Sequence, residues 1–301
     1  MAQSSASTRP LVRSLLFIPA TKLHLEQKAV DCGADAIIWD LEDAVVDSAK
    51  DEARHALGAY LRQRASRGPA QFVRINSLDT SRALSDLTEI TCRSLAGVYV
   101  PKVNGPRDVE LVDRLLNWLE HDNGIPAGSI CIVPVLETAA GIRASFDVAG
   151  ASPRVAFMGG LGVLGGDIER AIGYRWSAAG TETLVMRSQA LLDARAAGVH
   201  NPITGMWVRI DDLDGLREFA NQGRDLGYEG MMAIHPSHIP IINEVFGDSG
   251  VSLARDRRLI ETLRAASGGG EGAVTFEGVM IDKAMHESAA ERLRRAGDVI
   301  D

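Results

Sequence analysis

The alternation of short apolar runs with helical stretches most constrains how this chain can fold. Eight such runs occur up to Ile234, and most are followed by an amphipathic segment. The runs are Leu15–Pro19, Ala36–Leu41, Phe72–Ile75, Val98–Pro101, Ile130–Leu136, Val155–Met158, Met206–Ile210 and Met231–Ile234. The helical stretches are Leu23–Asp31, Ser48–Arg64, Asp108–Glu120 and Glu182–Ala197. Because the runs lack polar alternation, they predict parallel strands that are buried on both faces.

Eight similar strand–helix units favour a closed (β/α)8 TIM barrel, which we predict over residues 1–250. An open doubly wound sheet is the alternative, but it rarely uses eight similar units. Residues 251–301 form an extension that a barrel does not need. It contains a predicted helix over Leu253–Ala266, a glycine-rich linker at Ser267–Gly272, a short extended stretch and a final helix. The linker predicts that this extension reaches over another surface.

Charge and cysteine content exclude several classes of protein. The chain has 32 Lys and Arg against 40 Asp and Glu, a net charge of −8, so no global basic field attracts nucleic acid or an anionic membrane. Its three cysteines have neither disulfide-framework nor zinc-ligand spacing. No apolar run approaches the roughly 18 residues of a membrane span. We therefore expect a cytoplasmic protein with small-molecule partners.

Charged and polar side chains gather at the ends of the predicted strands. In a barrel of this kind the active site lies at the carboxyl ends of the strands. The residues at or just beyond these ends are Asp40, Glu42, Asp43, Arg74, Asn76, Lys102, Glu137, Asp167 and His235. One such residue is easily explained by a structural salt bridge, but charges at five strand ends point to an active site.

The acids in this set predict a divalent cation. Carboxylates that converge on one rim repel each other unless a cation lies among them. Hard oxygen ligands without a His or Cys cluster favour Mg²⁺ or Mn²⁺ over zinc. We predict Glu137 and Asp167 as the metal ligands, with Glu42 and Asp43 holding metal-bound water. The alternative for Glu42 and Asp43 is to cap the helix that begins near Val46.

The cations and a glycine-rich stretch complete the set of candidates. Arg74 suits a planar anion such as a carboxylate or an enolate oxygen. Lys102 beside an acidic rim stays protonated, which favours a salt bridge or substrate contact over a Schiff base. Gly160–Gly165 matches the dinucleotide fingerprint GxGxxG, but no second strand follows at the required distance. We interpret it as a glycine loop that carries Asp167.

Together these segments resemble a known family. RSLLFIPA, DAIIWDLEDAV, FVRIN, VYVPKV, IVPVLETAAGI, GGDIERAIGY and AIHPSHIPIINEVF resemble, in order, segments of the citrate lyase β-subunit-like enzymes. These enzymes belong to the HpcH/HpaI aldolase superfamily, which includes malyl-CoA and citramalyl-CoA lyases. The resemblance runs from about Arg13 to Phe246, and GAVTFEGVMIDKAM resembles the tail of the CoA-ester members.

The resemblance implies a Mg²⁺-dependent homotrimer or homohexamer and assigns roles to single residues. Glu137 matches the metal-binding Glu, Asp167 the metal-binding Asp and Arg74 the substrate arginine. The remaining matches are Glu42 and Asp43 as the acids of the LED motif, Lys22 and Lys28 as contacts to CoA phosphates, and Asp282 as the tail acid that reaches a neighbour. This chain has VLGGDI where many relatives have FGxxDL, which leaves the shape of the substrate pocket open.

The implied activity is a carbon–carbon lyase. Such an enzyme cleaves a 3-hydroxy-carboxyacyl-CoA, such as malyl-CoA or citramalyl-CoA, or a citryl thioester, into acetyl-CoA and a 2-oxo acid. The alternatives are a CoA-independent metal-dependent aldolase, a malyl-CoA thioesterase, and a citrate lyase β subunit in a multi-protein complex. Sequence alone does not separate glyoxylate, pyruvate and oxaloacetate as products, nor CoA from a carrier protein.

Overall fold

The chain contains two compact units, Met1–Phe246 and Gly247–Asp301. A computed structural model describes residues 11–64, 68–159, 161, 164–199, 201–247, 250–268, 272–295 and 298. Within these residues, no helix is both long and apolar enough to cross a bilayer.

The first unit is an α/β fold with seven parallel strands. The strands are β1 Ser14–Pro19, β2 Ala36–Asp40, β3 Ala70–Arg74, β4 Leu95–Val100, β5 Cys131–Pro134, β6 Ile203–Met206 and β7 Gly230–Ala233. The α-helices are α1 Glu26–Asp31, α2 Lys50–Gln63, α3 Arg82–Ile90, α4 Pro106–Asp122, α5 Ala139–Arg143, α6 Ser145–Gly150, α7 Asp167–Ile172, α8 Thr181–Ala196, α9 Leu213–Leu226 and α10 Ile239–Phe246. Short 3-10 helices occupy Leu23–Leu25, Asp47–Ala49 and Pro236–His238.

The strands lie in the order β5-β4-β3-β2-β1-β7-β6, and every neighbouring pair is parallel. Parallel pairing places all carboxyl ends at one edge of the sheet. The register aligns Pro19 with Asp40, Asp40 with Arg74, and Arg74 with Tyr99. The side chains that follow β1 to β4 therefore emerge close together.

The predicted sixth strand is not part of this sheet. Segment 155–159 instead makes isolated parallel bridges, from Val155 to Ile132 and from Gly159 to both Val135 and Ile203. A Cβ on Gly159 would lie 1.6 Å from the Ile203 carbonyl oxygen, so only glycine allows this approach. The expectation of eight strands is thus met only in part: seven pair in the sheet, and the remaining run is extended backbone with few bridges.

The prediction of a seventh run at Met206–Ile210 was wrong in position. The strand there is β6, Ile203–Met206, and it shares only Met206 with the predicted run. Thr204 and Gly205 dilute the apolar signal of β6, whereas Trp207 just beyond it is buried against Trp176 and Phe219. Because apolar side chains just after β6 pack outside the sheet, the sequence pattern predicts the strand a few residues too far toward the C-terminus.

Two apolar clusters cover the two faces of the sheet. One contains Leu16, Ile37 and Trp39 and packs against the helices. The other contains Leu15, Ile38, Phe72 and Tyr99, with Phe72 edge-to-face against Tyr99 and Phe157. Successive strand residues point to opposite faces, so both faces are buried, as the continuous apolar runs predict.

The second unit consists of α11 Gly250–Gly268, a hairpin of β8 Ala273–Phe276 and β9 Val279–Asp282, and α12 Lys283–Arg295. Its own apolar cluster includes Leu259, Leu263, Ile281 and Leu293. The sequence predicts both helices and the extended stretch between them. The predicted glycine linker lies partly outside the described residues, at 269–271.

Candidate active site

An ion pair between the last residues of β2 and β3 organises the carboxyl edge of the sheet. Arg74 donates through Nε to Asp40 Oδ1 at 2.8 Å and through Nη2 to Asp40 Oδ2 at 2.6 Å. Because the register aligns these two residues, the fork of the guanidinium meets both carboxylate oxygens. Asp40 also accepts the backbone N–H groups of Glu42 and Ala44, which shapes the turn after β2.

That turn brings two more acids to Arg74. Glu42 Oε2 lies 3.2 Å and Asp43 Oδ2 3.5 Å from Arg74 Nη1. Neither acid caps the following helix, because the 3-10 helix at Asp47–Ala49 has no side-chain cap. Burial raises the pKa of Glu42, although the charges of Arg74 and Lys102 oppose this rise. The predicted grouping of Arg74, Glu42 and Asp43 is therefore present in three dimensions.

Lys102 joins this group from the turn after β4. Its Nζ lies 2.6 Å from Glu42 Oε1, 3.4 Å from Asp167 Oδ2 and 3.6 Å from Asp43 Oδ1. Burial acts to lower the pKa of Lys102, but the hydrogen bond to Glu42 and the three carboxylate charges raise it above its ordinary value. The ammonium is thus held in the charged form, as the predicted salt bridge requires, and a Schiff-base role is disfavoured.

Glu137 and Asp167 lie at the same edge. Glu137 Oε1 accepts the backbone N–H of Lys102 at 2.8 Å, and Lys102 adopts a left-handed conformation with φ 54°. Burial, followed by the charges of Glu42 and Asp167, raises the pKa of Glu137 to about 7. Asp167 is the first residue of α7 and pairs with Arg170. Glu137 therefore remains a poorly neutralised carboxyl group among other acids.

The donor set fits a hard divalent cation. Glu137 and Asp167 offer carboxylate oxygens, and buried Glu42 Oε2 accepts no hydrogen bond. Burial and the charges of Glu42 and Asp167 disfavour the ionised form of Glu137, and a bound cation would offset this cost. Among the described residues, no three His, Cys, Asp or Glu side chains are grouped closely enough to hold a metal alone. Mg²⁺ takes few protein carboxylates and completes its coordination with water and substrate oxygens.

Lys50 holds the backbone of the acidic turn after β2. The sequence does not predict this role. Its buried Nζ donates to the carbonyl oxygens of Leu41 at 2.9 Å and Glu42 at 2.7 Å, and to Asn76 Oδ1 at 2.6 Å. Asn76 donates in turn to buried Asp86. All three ammonium donors are therefore used, and two of them fix the backbone that carries Glu42. In the sequence Lys50 looks like an ordinary surface lysine at the start of an amphipathic helix.

A cavity of about 560 Å³ opens beside these charges. Its polar side contains Asp40, Asp43, Arg74, Glu137 and Asp167. Its apolar side is formed by Phe17, Pro19, Val135, Ile168, Met206, Met232 and Ile234. The Phe17 ring lies 5.1 Å from the Arg74 guanidinium carbon, so this aromatic side chain borders both sides. A cavity of this size accommodates a small organic acid together with part of a larger substrate.

The remaining predicted residues are Lys22, Lys28, Asp282 and His235. Lys22 and Lys28 are exposed, one just after β1 and the other on α1, and neither lines the cavity. Asp282 is in the second unit, where its Oδ1 accepts the backbone N–H groups of Ala284 and Met285 and so caps α12. His235 Nδ1 contacts Ser237 Oγ at 2.8 Å. The Gly160–Gly165 motif lies partly outside the described residues, at 160, 162 and 163.

Comparison with known proteins identifies the family of this chain. The family model for HpcH/HpaI aldolase/citrate lyase matches residues 13–236. The chain belongs to this family. Its relatives include a citrate lyase subunit beta-like protein of Deinococcus radiodurans, 34% identical over 281 residues that cover 91% of this chain and 94% of the relative. The predicted family resemblance is therefore confirmed.

Other members of the HpcH/HpaI family carry more specific names. A (3S)-malyl-CoA thioesterase of Cereibacter sphaeroides is 31% identical over 288 residues, which cover 94% of each chain. The crystal structure of CitE from Mycobacterium tuberculosis, in complex with magnesium, acetoacetate and coenzyme A, superposes with a TM-score of 0.74 at 28% identity. That superposition covers 96% of this chain and 99% of CitE. Both CoA-ester thioesterases and citrate lyase β-like proteins are thus relatives of this chain.

Proposed function

We propose that the protein is a Mg²⁺-dependent carbon–carbon lyase. It cleaves a 3-hydroxy-carboxyacyl-CoA into acetyl-CoA and a 2-oxo acid, with Mn²⁺ as a possible substitute for Mg²⁺. The observation that carries this proposal is that Arg74, which lies against Glu42 and Asp43, lines one cavity together with Glu137 and Asp167. Such a site can bind an anionic substrate and neutralise oxygen charge at the same time.

Glu137 and Asp167 would hold the cation. When bound, Mg²⁺ supplies a Lewis acid that lowers the pKa of the substrate's 3-hydroxyl group. Asp40 fixes the guanidinium of Arg74 through two hydrogen bonds. Its Nη1 side, which also faces Glu42 and Asp43, can orient the substrate carboxylate and stabilise negative charge on its oxygen. Lys102 and Lys50 keep Glu42 in place.

The reaction transfers two protons and breaks the C2–C3 bond. A carboxylate acts as the base and takes the proton of the 3-hydroxyl group. Glu42 and Asp43 are the candidates for this role. The C2–C3 bond then breaks, and C3 becomes the carbonyl carbon of the 2-oxo acid. The electron pair of the broken bond stays on C2 and forms the enolate of the thioester. Protonation at C2 gives acetyl-CoA. The reverse sequence is a condensation.

Two further roles belong to this proposal. Asp282 of one chain supplies the C2 proton in a neighbouring subunit, and Lys22 and Lys28 contact the CoA phosphates. Because Asp282 also caps α12, Asp282→Asn is the informative variant, since asparagine keeps a cap that alanine removes. Loss of activity in Asp282→Asn with an unchanged melting temperature supports the catalytic role, whereas full activity assigns Asp282 to capping alone.

The decisive assay identifies products from malyl-CoA, citramalyl-CoA and citryl-CoA, with and without EDTA. Formation of acetyl-CoA and a 2-oxo acid that requires the metal supports the lyase. Turnover of free 2-oxo acids and aldehydes without CoA indicates an aldolase instead. Activity that appears only with added partner proteins indicates a citrate lyase β subunit.

A thioesterase is the second candidate, because the Cereibacter sphaeroides relative is named (3S)-malyl-CoA thioesterase. Both reactions begin with the same bound thioester, and they differ in the bond that breaks. Release of free CoA together with malate, without acetyl-CoA, identifies the thioesterase.

We further propose a homotrimer or homohexamer. Three outer helices each expose a large apolar side chain: Trp118 on α4 is 65% exposed, Phe146 on α6 is 52% exposed and Val185 on α8 is 79% exposed. Since α6 packs against both α4 and α8, the three helices are neighbours, and association would remove this apolar surface from water. Light scattering after size exclusion measures the assembly, and a monomer that stays monomeric with substrate contradicts it.

The closed barrel is also a proposal. Segment 155–159 takes the eighth position between β5 and β6, supported by hydrogen bonds from Ile132 N to Arg154 O and from Ile203 N to Met158 O. Slow hydrogen exchange at both amides is the expected signature of a closed ring.

A further inference from the structure

The described lining of the cavity beside the charged edge has little positive charge. Arg74 is the only cationic side chain among the described residues that line it. Its Nε and one Nη2 N–H are used by Asp40, and Nη1 faces Glu42 and Asp43. Lys102, outside this lining, already has three carboxylates within 3.6 Å. The polar side therefore serves one oxo-acid group, and no cation remains in the described lining for a second carboxylate.

The rest of the described lining includes side chains that favour an apolar substituent. Met232 and Val135 are buried on β7 and just after β5, while Met206 and Ile234 are half-buried at the carboxyl ends of β6 and β7. Phe17 connects this surface to Arg74. When Arg74 binds the carboxylate of a 2-oxo acid, the group attached to the carbonyl carbon has these apolar side chains of the same cavity available to it.

We infer that this site selects a monocarboxylic 2-oxo acid with a small alkyl substituent over oxaloacetate. The inference rests on the proposed lyase function and narrows its substrate class to citramalyl-type thioesters. One methyl group against such a surface is worth about tenfold in specificity. A second carboxylate there loses water without gaining a partner, which costs about tenfold or more in affinity.

Binding of free 2-oxo acids tests the inference without turnover. 2-Oxobutyrate and oxaloacetate form a matched pair, because they have similar shapes and differ by a methyl group against a carboxylate. With the Mg²⁺-loaded full-length protein, calorimetry should give a Kd about tenfold or more lower for 2-oxobutyrate. Pyruvate should bind more tightly than glyoxylate. Equal or tighter binding of oxaloacetate overturns the inference.

A cation placed on the apolar side should reverse this preference. Met206→Arg puts a guanidinium at a half-buried position and should lower the Kd for oxaloacetate relative to 2-oxobutyrate, whereas Met206→Ala should not. If Met206→Arg does not fold, Ile234→Arg makes the same change at the end of the neighbouring strand. An unchanged ratio in a folded arginine variant contradicts the inference.

Turnover then separates this inference from the proposed function. Higher kcat/KM for citramalyl-CoA than for malyl-CoA and citryl-CoA supports both. Cleavage of citryl-CoA as the preferred substrate overturns the inference and leaves the lyase intact. No cleavage of any thioester, together with the expected order of Kd values, overturns the lyase and supports the selectivity of the cavity.

Discussion

The two ends of the sheet both contain buried charges, but they use them differently. At the amino ends, Arg154 donates to both carboxylate oxygens of Glu120 at 2.8 and 2.6 Å, and also to Asp113 and Asn117. Glu120 accepts two backbone N–H groups in addition. At the carboxyl ends, Arg74 and Lys102 are shared among Asp40, Glu42, Asp43 and Asp167.

The pKa values record this difference. Burial acts to raise the pKa of Glu120, but its hydrogen bonds with Arg154 and the two backbone N–H groups lower it below the ordinary value. Glu137 has one backbone donor and two nearby acids, and its pKa rises to about 7. Removing one partner from a fully paired buried acid destabilises the fold, whereas an acid left under-neutralised is available to a cation or substrate.

The largest expected effect comes from the same amide substitutions at each end. Glu137→Gln and Asp167→Asn should each lower kcat/KM by about 100-fold or more, because each removes a proposed metal ligand. Glu120→Gln and Asp113→Asn, the matched controls, should lower the melting temperature and leave the activity of the folded enzyme unchanged. Thermal melts and steady-state kinetics across an Mg²⁺ titration measure both. Wild-type activity of either carboxyl-end variant in EDTA would remove the metal from the mechanism.

Exchange of the two arginines for lysine gives the next largest effect. Arg74→Lys should lower kcat by about 100-fold, since lysine cannot reproduce the forked donor arrangement that stabilises oxygen charge. Arg154→Lys should destabilise the fold without changing kcat. Near wild-type turnover of Arg74→Lys would make Arg74 a structural ion pair like Arg154, and the two ends would then not differ.

Lys50 tests whether burial alone defines a structural role. Lys50→Met leaves the Leu41 and Glu42 carbonyl oxygens and Asn76 Oδ1 without their donor. It should weaken Mg²⁺ affinity by about tenfold, as loss of a supporting partner around a metal site does. The measurement is made well below the melting temperature of each variant, with Arg154→Lys as the equally buried comparison. If both variants keep wild-type Mg²⁺ affinity, Lys50 serves stability only.

The smallest expected effect is the pH dependence of stability in EDTA. The pKa of Glu137 is about 7 in the folded protein against an ordinary 4.5, so the folded state binds more protons between these values. Its contribution therefore makes the metal-free protein less stable as pH rises from about 4.5 to 7. Glu120 contributes with the opposite sign, because its lowered pKa gives stability that is lost as pH falls through that value.

Melting curves of variants separate these two contributions. Relative to wild type in EDTA, the melting temperature of Glu137→Gln should rise between pH 5 and 8, by about 2–4 °C for each kcal/mol of stability gained. Excess Mg²⁺ should abolish this gain. Glu120→Gln should lose stability most at neutral pH. Parallel pH profiles for wild type and Glu137→Gln would mean that Glu137 is fully neutralised without a cation.

Sequence patterns predict which residues belong to the candidate site, but they predict few of the contacts between those residues. Arg74, Lys102, Glu137 and Asp167 were predicted at strand ends, and the structure brings them to one edge. The sequence marks Asp40 only as an acid at a strand end. In the structure Asp40 is the main partner of Arg74. Lys50 gave no signal, because burial of an ammonium depends on carbonyl oxygens that other segments supply. The position of β6 was missed because its apolar neighbours pack outside the sheet.

The sequence by itself determined which side chains follow the strands, since parallel strands buried on both faces appear as continuous apolar runs and their carboxyl ends share one edge. The tertiary structure decided which of these charges meet. Lys102 and Glu42 are 60 residues apart and pair at 2.6 Å only because β2, β3 and β4 lie side by side. The protonation of Glu137 likewise depends on burial and on charges from three other segments, so it is a property of the folded arrangement rather than of any local pattern.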